Sequence, residues 1–594
     1  MIATHCVQSA DIDALATGRG GPEVIGRLAA AQASKCMLRL RLIVDAARSL
    51  PPERAASLHR GYDLLARAQH HDPAATAKVL MYPPVGAWSA LCLRGLRSGD
   101  CSDGESAEVT GHLAAIAASA AASAGIDFQI DVPARSGAIL LPALGLAQFA
   151  DDQMDTGKVR GRSGMTQVIA GRHAVAVPPD VCSDQDGWRG LRRLRSTAED
   201  LTLELMLDDL DPFRACYGFP VDGRLPAHLV HGWRQRLDEA WSILVRQHPW
   251  YATAIRAGLT CLIPLRAGPG GKGVSTTSTD AFGACALSFP PDAQTLAVTL
   301  VHEFQHAKLG ALHDLVPLHT ATPDVLYYSP WRDDPRPLHG LLHGAYAYLG
   351  VTDLWRTQHA GCAPSAFGDF EYARWRAETL DAVRIIERSG LLTAVGHSLA
   401  AGMRSRLRPW HAEPVADLPR AAAAIAIADH RVSWRLRNLR HDQTEVDRLA
   451  VAWIGGAAAR IPSRAAVMAS GQALSRSHRI ELIGSMLQDP ARFRHYRSGA
   501  EAGEADAADL ALVRGELASA ARGYRDLLAD DPDRADAWAG LALAEGPSSA
   551  LSRWPELAYA VHRRIREISA TAPDPADLAD WLAAGTSQKG IQTS

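Results

Sequence analysis

A mainly α chain with a small β component, an α+β protein, is the fold class that the sequence predicts. Alanine, leucine and arginine dominate the composition, and apolar residues recur at helical spacing through most of the chain. Strand-like alternation is rare, and the short runs that suggest strands fall between residues 128 and 289. With 594 residues, 47% of them hydrophobic and 21% charged, the chain has apolar material for more than one core, so two to four domains are expected.

Four regions follow in order. Residues 1–130 read as helical, with Leu38, Leu40, Leu42 and Ile43 and the alanine-rich stretch 113–124 as apolar faces. Residues 131–400 hold the chemistry described below. They open on a strand expected at 128–132, followed by strands at 167–177 and 260–265 and a helix over 225–246. The basic run 189–195, Trp188 included, reads WRGLRRLR and is expected to be the solvated face of an amphipathic helix. The glycine-rich segment 267–273 lacks the GxxxxGK[ST] spacing that wraps backbone amides around a phosphate. It is expected to be a flexible turn, with the Ser/Thr run 275–279 extending the same mobile loop and a strand over 282–289 leading out of it. Residues 401–500 read as a further helical region. In the tail, 501–594, the spacing of Gly515, Leu517, Tyr524, Pro532 and Trp538 resembles one tetratricopeptide unit running into the next. A lone unit cannot bury its own face, so a helical hairpin packed on the main body is the equal alternative.

The formal net charge of -3 gives no electrostatic reason to expect a nucleic acid or an anionic membrane as partner. No run of eighteen apolar residues occurs and the N-terminal segment lacks a basic-then-apolar layout, so a cytoplasmic protein is expected. The nine cysteines contain no CxxC pair and read as reduced, mostly buried small residues.

The chemistry centres on His302-Glu303-Phe304-Gln305-His306. Pro290-Pro291-Asp292 makes a helix start, with Asp292 as cap, and Ala297, Leu300, Val301 and Phe304 form a buried stripe. The i to i+4 separation places the imidazoles of His302 and His306 one turn apart on another face, the geometry of two ligands to one metal. Two histidines and a glutamate can also merely decorate a surface helix. Here the buried stripe holds them near a core, where imidazoles need hydrogen bonds or coordination.

The longer signature HExxHxxGxxH is not met: Leu309 and Leu312 occupy its Gly and His positions, and Gly310 and His313 come one residue late, about 100° around the helix. No glutamate lies between Glu303 and Glu371 to serve as a protease's third ligand. Downstream, YYSPWRDDPRPLHGLLHG carries Arg332, Asp333, Asp334, Arg336, His339 and His343. A helix is expected over 338–349, with Gly340, Gly344 and Ala347 letting its backbone approach a neighbouring helix. His343 is the leading candidate for a third ligand, with His339 its rival and Asp333 or Asp334 behind both. Either histidine can instead be a satisfied core side chain. Hydrolysis at zinc needs a water and a base but no fixed guanidinium, whereas a 2-oxoglutarate oxygenase needs a cation on the distal carboxylate. Arg332 or Arg336 suits that task, unless each simply pairs with Asp333 or Asp334. Arg332 is expected to matter more, with Trp331 stacked beside its guanidinium.

Residues 290–350 closely resemble the HExxH-domain proteins of bacterial peptide-maturation clusters, the 2-oxoglutarate/iron HExxH-type peptide β-hydroxylases, and the lead-in 2–47 looks like the start of that domain. The resemblance spans residues 1 to about 490 and leaves out the tail. It implies a helical metalloenzyme core around the HExxH helix, iron(II) on His302, His306 and a later histidine matched to His343, and 2-oxoglutarate and O2 as cosubstrates. Its expected product is a hydroxylated side-chain β-carbon in a ribosomally synthesised precursor peptide, with a radical-SAM maturase of the same cluster as a further partner. Glu303 then takes a proton-handling role. Two other readings compete: a zinc metallopeptidase with Glu303 as general base, and a non-catalytic protein that binds leader peptides through its helical ends.

Overall fold

The computed structural model describes residues 5–98, 104–150, 154–320, 322–361, 365–461, 465–469, 478–489, 493, 504–569 and 571–587. Cys101 and Cys362 lie outside them. Helix accounts for 60% and strand for 14% of the structure, which makes the chain mainly α with a small β component. It divides into two compact units, Met1–Pro317 and Leu318–Ser594. The span 131–400 is therefore shared between them. No described helix is long and apolar enough to cross a membrane.

Among its described residues the first unit opens with six α-helices, α1 (Ser9–Ala16), α2 (Pro22–Ala46), α3 (Pro52–His71), α4 (Pro73–Leu80), α5 (Pro83–Ser98) and α6 (Gly104–Ser123). Pro22, Pro52, Pro73 and Pro83 each stand at a first helical position, where the missing N–H costs nothing and φ is already set. The alanine-rich α6 is the buried centre of this part, with Leu113, Ile116, Ala117, Ala120 and Ala121 fully covered. Its small side chains let α3 approach so closely that a Cβ on Gly61 would stand 3.3 Å from the α6 backbone.

Two antiparallel sheets share that core. One has the order β1 (Phe128–Pro133), β4 (Thr156–Arg162), β5 (Met165–Ala170), β6 (His173–Ala176); the other pairs β2 (Ala138–Leu141), β3 (Gly145–Gln148) and β7 (Trp188–Gly190). The strand expected over 167–177 is thus a tight hairpin of β5 and β6, turning at Gly171 with φ +54. Strand β4 alternates strictly, yet two of its inward positions are glycines. A Cβ at Gly157 would lie 2.3 Å from the Ile139 side chain, and one at Gly161 would lie 2.4 Å from the Phe128 ring.

The segment expected to be an amphipathic helix is extended. Trp188–Gly190 is β7, and Arg192–Ala198 is the strand β8. Arg193 and Arg195 point to solvent while Leu194 and Ser196 are buried, a period of two that the i, i+3 spacing of Leu191 and Leu194 disguised.

Strand β8 is one edge of a five-stranded sheet that runs β11 (Ser275–Thr276), β12 (Ala284–Ser288), β10 (Cys261–Leu265), β9 (Leu201–Leu207), β8. The inner strands β12, β10 and β9 are parallel. All five residues of β10 and of β12 are buried, as strands covered on both faces require. Helices α7 (Ala227–Gln247) and α8 (Pro249–Gly258) precede β10, and after β12 the chain turns at Pro290-Pro291 into α9 (Ala293–His313). Asp292 caps that helix as expected, accepting from the Thr295 amide at 2.7 Å.

The second unit is helical: α10 (Leu338–His359), α11 (Ala366–Arg388), α12 (Ala394–His411), α13 (Asp417–Asn438), α14 (Gln443–Ile454) and α15 (His478–Gln488), then the tail. The helix expected over 338–349 runs ten residues further. The tail helices Glu504–Val513, Leu517–Asp530, Ala535–Ala544, Pro555–Ile568 and Pro575–Ser587 pack among themselves and on α13, α14 and α15. Gly540 admits the Tyr524 ring, and buried Arg479 bridges Asp429 and Asp509, each at 2.8 Å, tying α15 to α13 and to the tail.

Candidate metal centre

Helix α9 buries Leu296, Ala297, Leu300, Val301 and Phe304 as its inner stripe. Phe304 is seated against Gly258, where a Cβ would stand 2.7 Å from its ring. Lys308 continues the inner face although it is a lysine: fully buried, its Nζ donates to the Gly18 and Arg19 carbonyls at 2.8 and 2.9 Å. Burial pushes its ammonium down to about 7. The inner stripe and this anchor fix the rotation of the helix, and thereby the direction of His302 and His306.

The two Nε2 atoms are 3.2 Å apart, with the ring planes at 80°. Two nitrogens each about 2.1 Å from one ion would subtend about 100° at that separation, inside the range of tetrahedral and octahedral ligation. Burial pushes His302 down to about 4, so its imidazole is neutral at pH 7 and keeps the lone pair that a metal needs. The donor set thus fits iron or zinc.

Glu303, one residue along, points elsewhere. It is 2% exposed and accepts a hydrogen bond from Ser275 Oγ at 2.7 Å. Burial raises its carboxyl to about 7, while the Ser275 and Thr277 hydroxyls work against that rise. Segment 275–279 is therefore no free loop at its start: Ser275 and Thr276 form the sheet-edge strand β11, antiparallel to β12. The glycine-rich turn before it does use its freedom, with Gly270 and Gly271 both at positive φ. Sequence reasoning missed Ser275 and Thr277 because a serine-threonine run after glycines carries no periodicity. Among the described cysteines Cys36, Cys92, Cys261 and Cys285 are buried, whereas Cys6 and Cys216 are exposed and Cys182 lies between. Burial and the Glu303 carboxyl push the Cys285 thiol up, so it stays a neutral core residue.

His343, His339, Arg332 and Arg336 belong to the second unit. There the short strands β13 (Leu326–Tyr327) and β14 (Arg336–Pro337) pair and lead into α10. Both arginines hold Asp334, Arg332 through Nε at 2.9 Å and Arg336 through Nη1 at 3.1 Å. Although burial opposes it, the two guanidinium groups keep the Asp334 carboxyl below the usual range. Gly340 and Gly344 of α10 admit this segment. A Cβ on Gly344 would lie 2.2 Å from the Trp331 indole, and one on Gly340 would lie 3.0 Å from Arg336 Nε. Trp331 stacks on Tyr348 at 4.8 Å and 15°, not on Arg332 as expected. It is Arg336 that rests on α10, one turn before His343. Gly344→Val should cost about 1–3 kcal/mol through displacement of Trp331, measurable as a lower urea midpoint.

Helix α13 braces the same segment, which the sequence did not disclose. Asn438 Nδ2 donates to the Asp333 carbonyl at 2.8 Å, and His430 Nδ1 meets the Tyr328 hydroxyl at 2.9 Å. The rings of His339 and His343 lie 4.4 Å apart, and His319 Nε2 stands 3.5 Å from His339 Nδ1. Comparison of the chain with protein-family models gives no match, and comparison with curated proteins gives none either.

Proposed function

We propose that the chain is an iron(II)- and 2-oxoglutarate-dependent dioxygenase that hydroxylates a side-chain β-carbon of a ribosomally made precursor peptide. The observation that carries the metal is the convergence of the two Nε2 atoms of His302 and His306 at 3.2 Å. The choice of oxygenation rests on the resemblance of residues 290–350; Arg332 and Arg336 both pair with Asp334, so whichever of them grips a cosubstrate carboxylate must exchange that partner for it. Iron, when bound with 2-oxoglutarate and O2, supplies the oxidising power. His302 and His306 would hold it, the resemblance adds His343 as the third ligand, and Glu303 would store a proton near neutral pH. Arg336, oriented against Gly340, is better set than Arg332 to grip a distal carboxylate.

The test is metal analysis of the purified protein with succinate measured during 2-oxoglutarate turnover. Iron near one equivalent with succinate formation is expected; zinc with peptide cleavage would overturn the reading. Arg336→Lys keeps a charge but loses the planar fork. Affinity for 2-oxoglutarate, titrated by the charge-transfer absorbance of the iron complex, should fall about ten- to a hundredfold with metal content unchanged. Arg332→Lys should fall less.

A second reading, a zinc metallopeptidase, is favoured by one observation: Glu303, next to His302 in the chain, is buried and raised to about 7, a value matched to general-base work at neutral pH. Glu303→Gln separates the two. Peptide cleavage should collapse by roughly 10²–10⁴ if Glu303 is the base, whereas succinate formation should fall far less.

A further inference from the structure

We propose that His319 and His339, both in the second unit, form a transition-metal site besides the one assigned to His302 and His306. The backbone of each residue is fixed. His319 forms a bridge with Leu392, reinforced by Thr320 N donating to Leu391 O at 2.9 Å and Thr393 N to Leu318 O at 3.1 Å. His339 is the second residue of α10, immediately after β14, where the first helical turn is held by the buried Leu338, Leu341 and Leu342. From these positions the side chains turn toward each other, His319 Nε2 standing 3.5 Å from His339 Nδ1 with the rings at 65°.

A direct imidazole–imidazole hydrogen bond at that length lies at the outer limit of such bonds. Two nitrogens each about 2.1 Å from a common ion would instead subtend about 113°, close to tetrahedral. His339 is exposed, so an ion enters from solvent and keeps water in its open positions. The donors are imidazoles alone, which selects zinc, nickel, copper or iron over magnesium and calcium. His343 flanks the pair, its ring 4.4 Å from that of His339.

The experiment counts ions bound to the full-length chain after chelation and equilibrium dialysis against Zn2+. Wild type is expected to hold two equivalents, and His319→Gln and His339→Gln one each. Glutamine can replace a hydrogen bond but is a poor zinc ligand, so the substitution separates the two roles. The count in a His302→Gln background reads the site alone, whatever the HExxH pair holds. One equivalent that His319→Gln then removes supports the proposal, and no equivalent in that background overturns it. One equivalent that persists when His319→Gln is added to that background overturns it as well. Titration of His302→Gln and of His306→Gln with Co2+ reads the same site by a second signal: one set of visible bands is expected in each, and its absence from both would sink the site.

Discussion

Replacing His302 or His306 with alanine should weaken metal binding at the HExxH helix on the order of a hundredfold or more, while leaving the fold intact. Each contributes one of the three proposed protein ligands, and loss of either leaves an incomplete facial site. The helix itself does not depend on them. Both are partly exposed, whereas Leu296, Leu300, Val301 and Phe304 carry its packing and Asp292 its cap. Metal content after dialysis against a weak chelator, together with the circular dichroism spectrum and the midpoint of thermal unfolding, reads both halves of the prediction. Stoichiometric metal retained at this site in either variant would remove the assignment. His343→Ala should lower the same equivalent and His339→Ala should not; an exchange of those two outcomes would make His339 the ligand.

Helix α9 was legible because every signal in it is local. The cap, the apolar stripe and the i, i+4 histidines all lie within one continuous stretch, 292–306, and need no partner to be read. What the sequence could not disclose depends on contacts across the chain. Ser275 reaches Glu303 only because β11 adds to the sheet edge, and that pairing is set by β12 and not by anything in the serine-threonine run. Lys308 looks like a charged helix position until the Gly18 and Arg19 carbonyls are brought to it.

Individual strands escaped the sequence for a related reason. In β4 the inward positions Gly157 and Gly161 are empty because Ile139 and Phe128 fill the space from other strands, so the alternation shows no apolar side chains to count. In β8 the arginines at 193 and 195 are the exposed half of a strand, and leucines three apart imitated a helix. Around Arg332 and Arg336 the pairing with Asp334 was among the partners that the sequence offered, whereas the stacking of Trp331 on Arg332 was not met. Trp331 found Tyr348 and Gly344, leaving Asp334 to organise both guanidinium groups. That rearrangement shifts the weight of the cosubstrate prediction from Arg332 to Arg336.

The stability of the second unit should fall as pH rises from about 4.5 to about 8, and Glu378→Gln should abolish that part of the fall. Glu378, on α11, is fully buried, and neither of its carboxylate oxygens has a hydrogen-bond partner among the described residues. Burial pushes its carboxyl up to about 8, although Arg431 and Arg374 oppose the shift. Those cations are engaged elsewhere: Arg431 bonds Asp381 at 3.0 Å, and the Arg374 guanidinium lies 4.3 Å from the Trp375 ring centroid. The folded chain therefore keeps this proton up to about pH 8, whereas the unfolded chain releases it near its ordinary value of 4.5. Between those limits the folded state binds more protons than the unfolded one, so stability is complete below 4.5, declines through the window and is level above it. At about 1.4 kcal/mol per pH unit the decline is on the order of 3–5 kcal/mol. Lys308, pushed down from 10.5 to about 7, acts in the opposite sense above neutrality, which makes the difference between wild type and variant the quantity to measure. Glutamine fills the same space without a charge to desolvate. Urea unfolding at intervals from pH 5 to pH 9 should show the two proteins nearly equal at the acid end and the variant more stable by a few kcal/mol at the alkaline end. Parallel pH profiles would mean that the Glu378 carboxyl ionises in the folded protein as it does in the unfolded one.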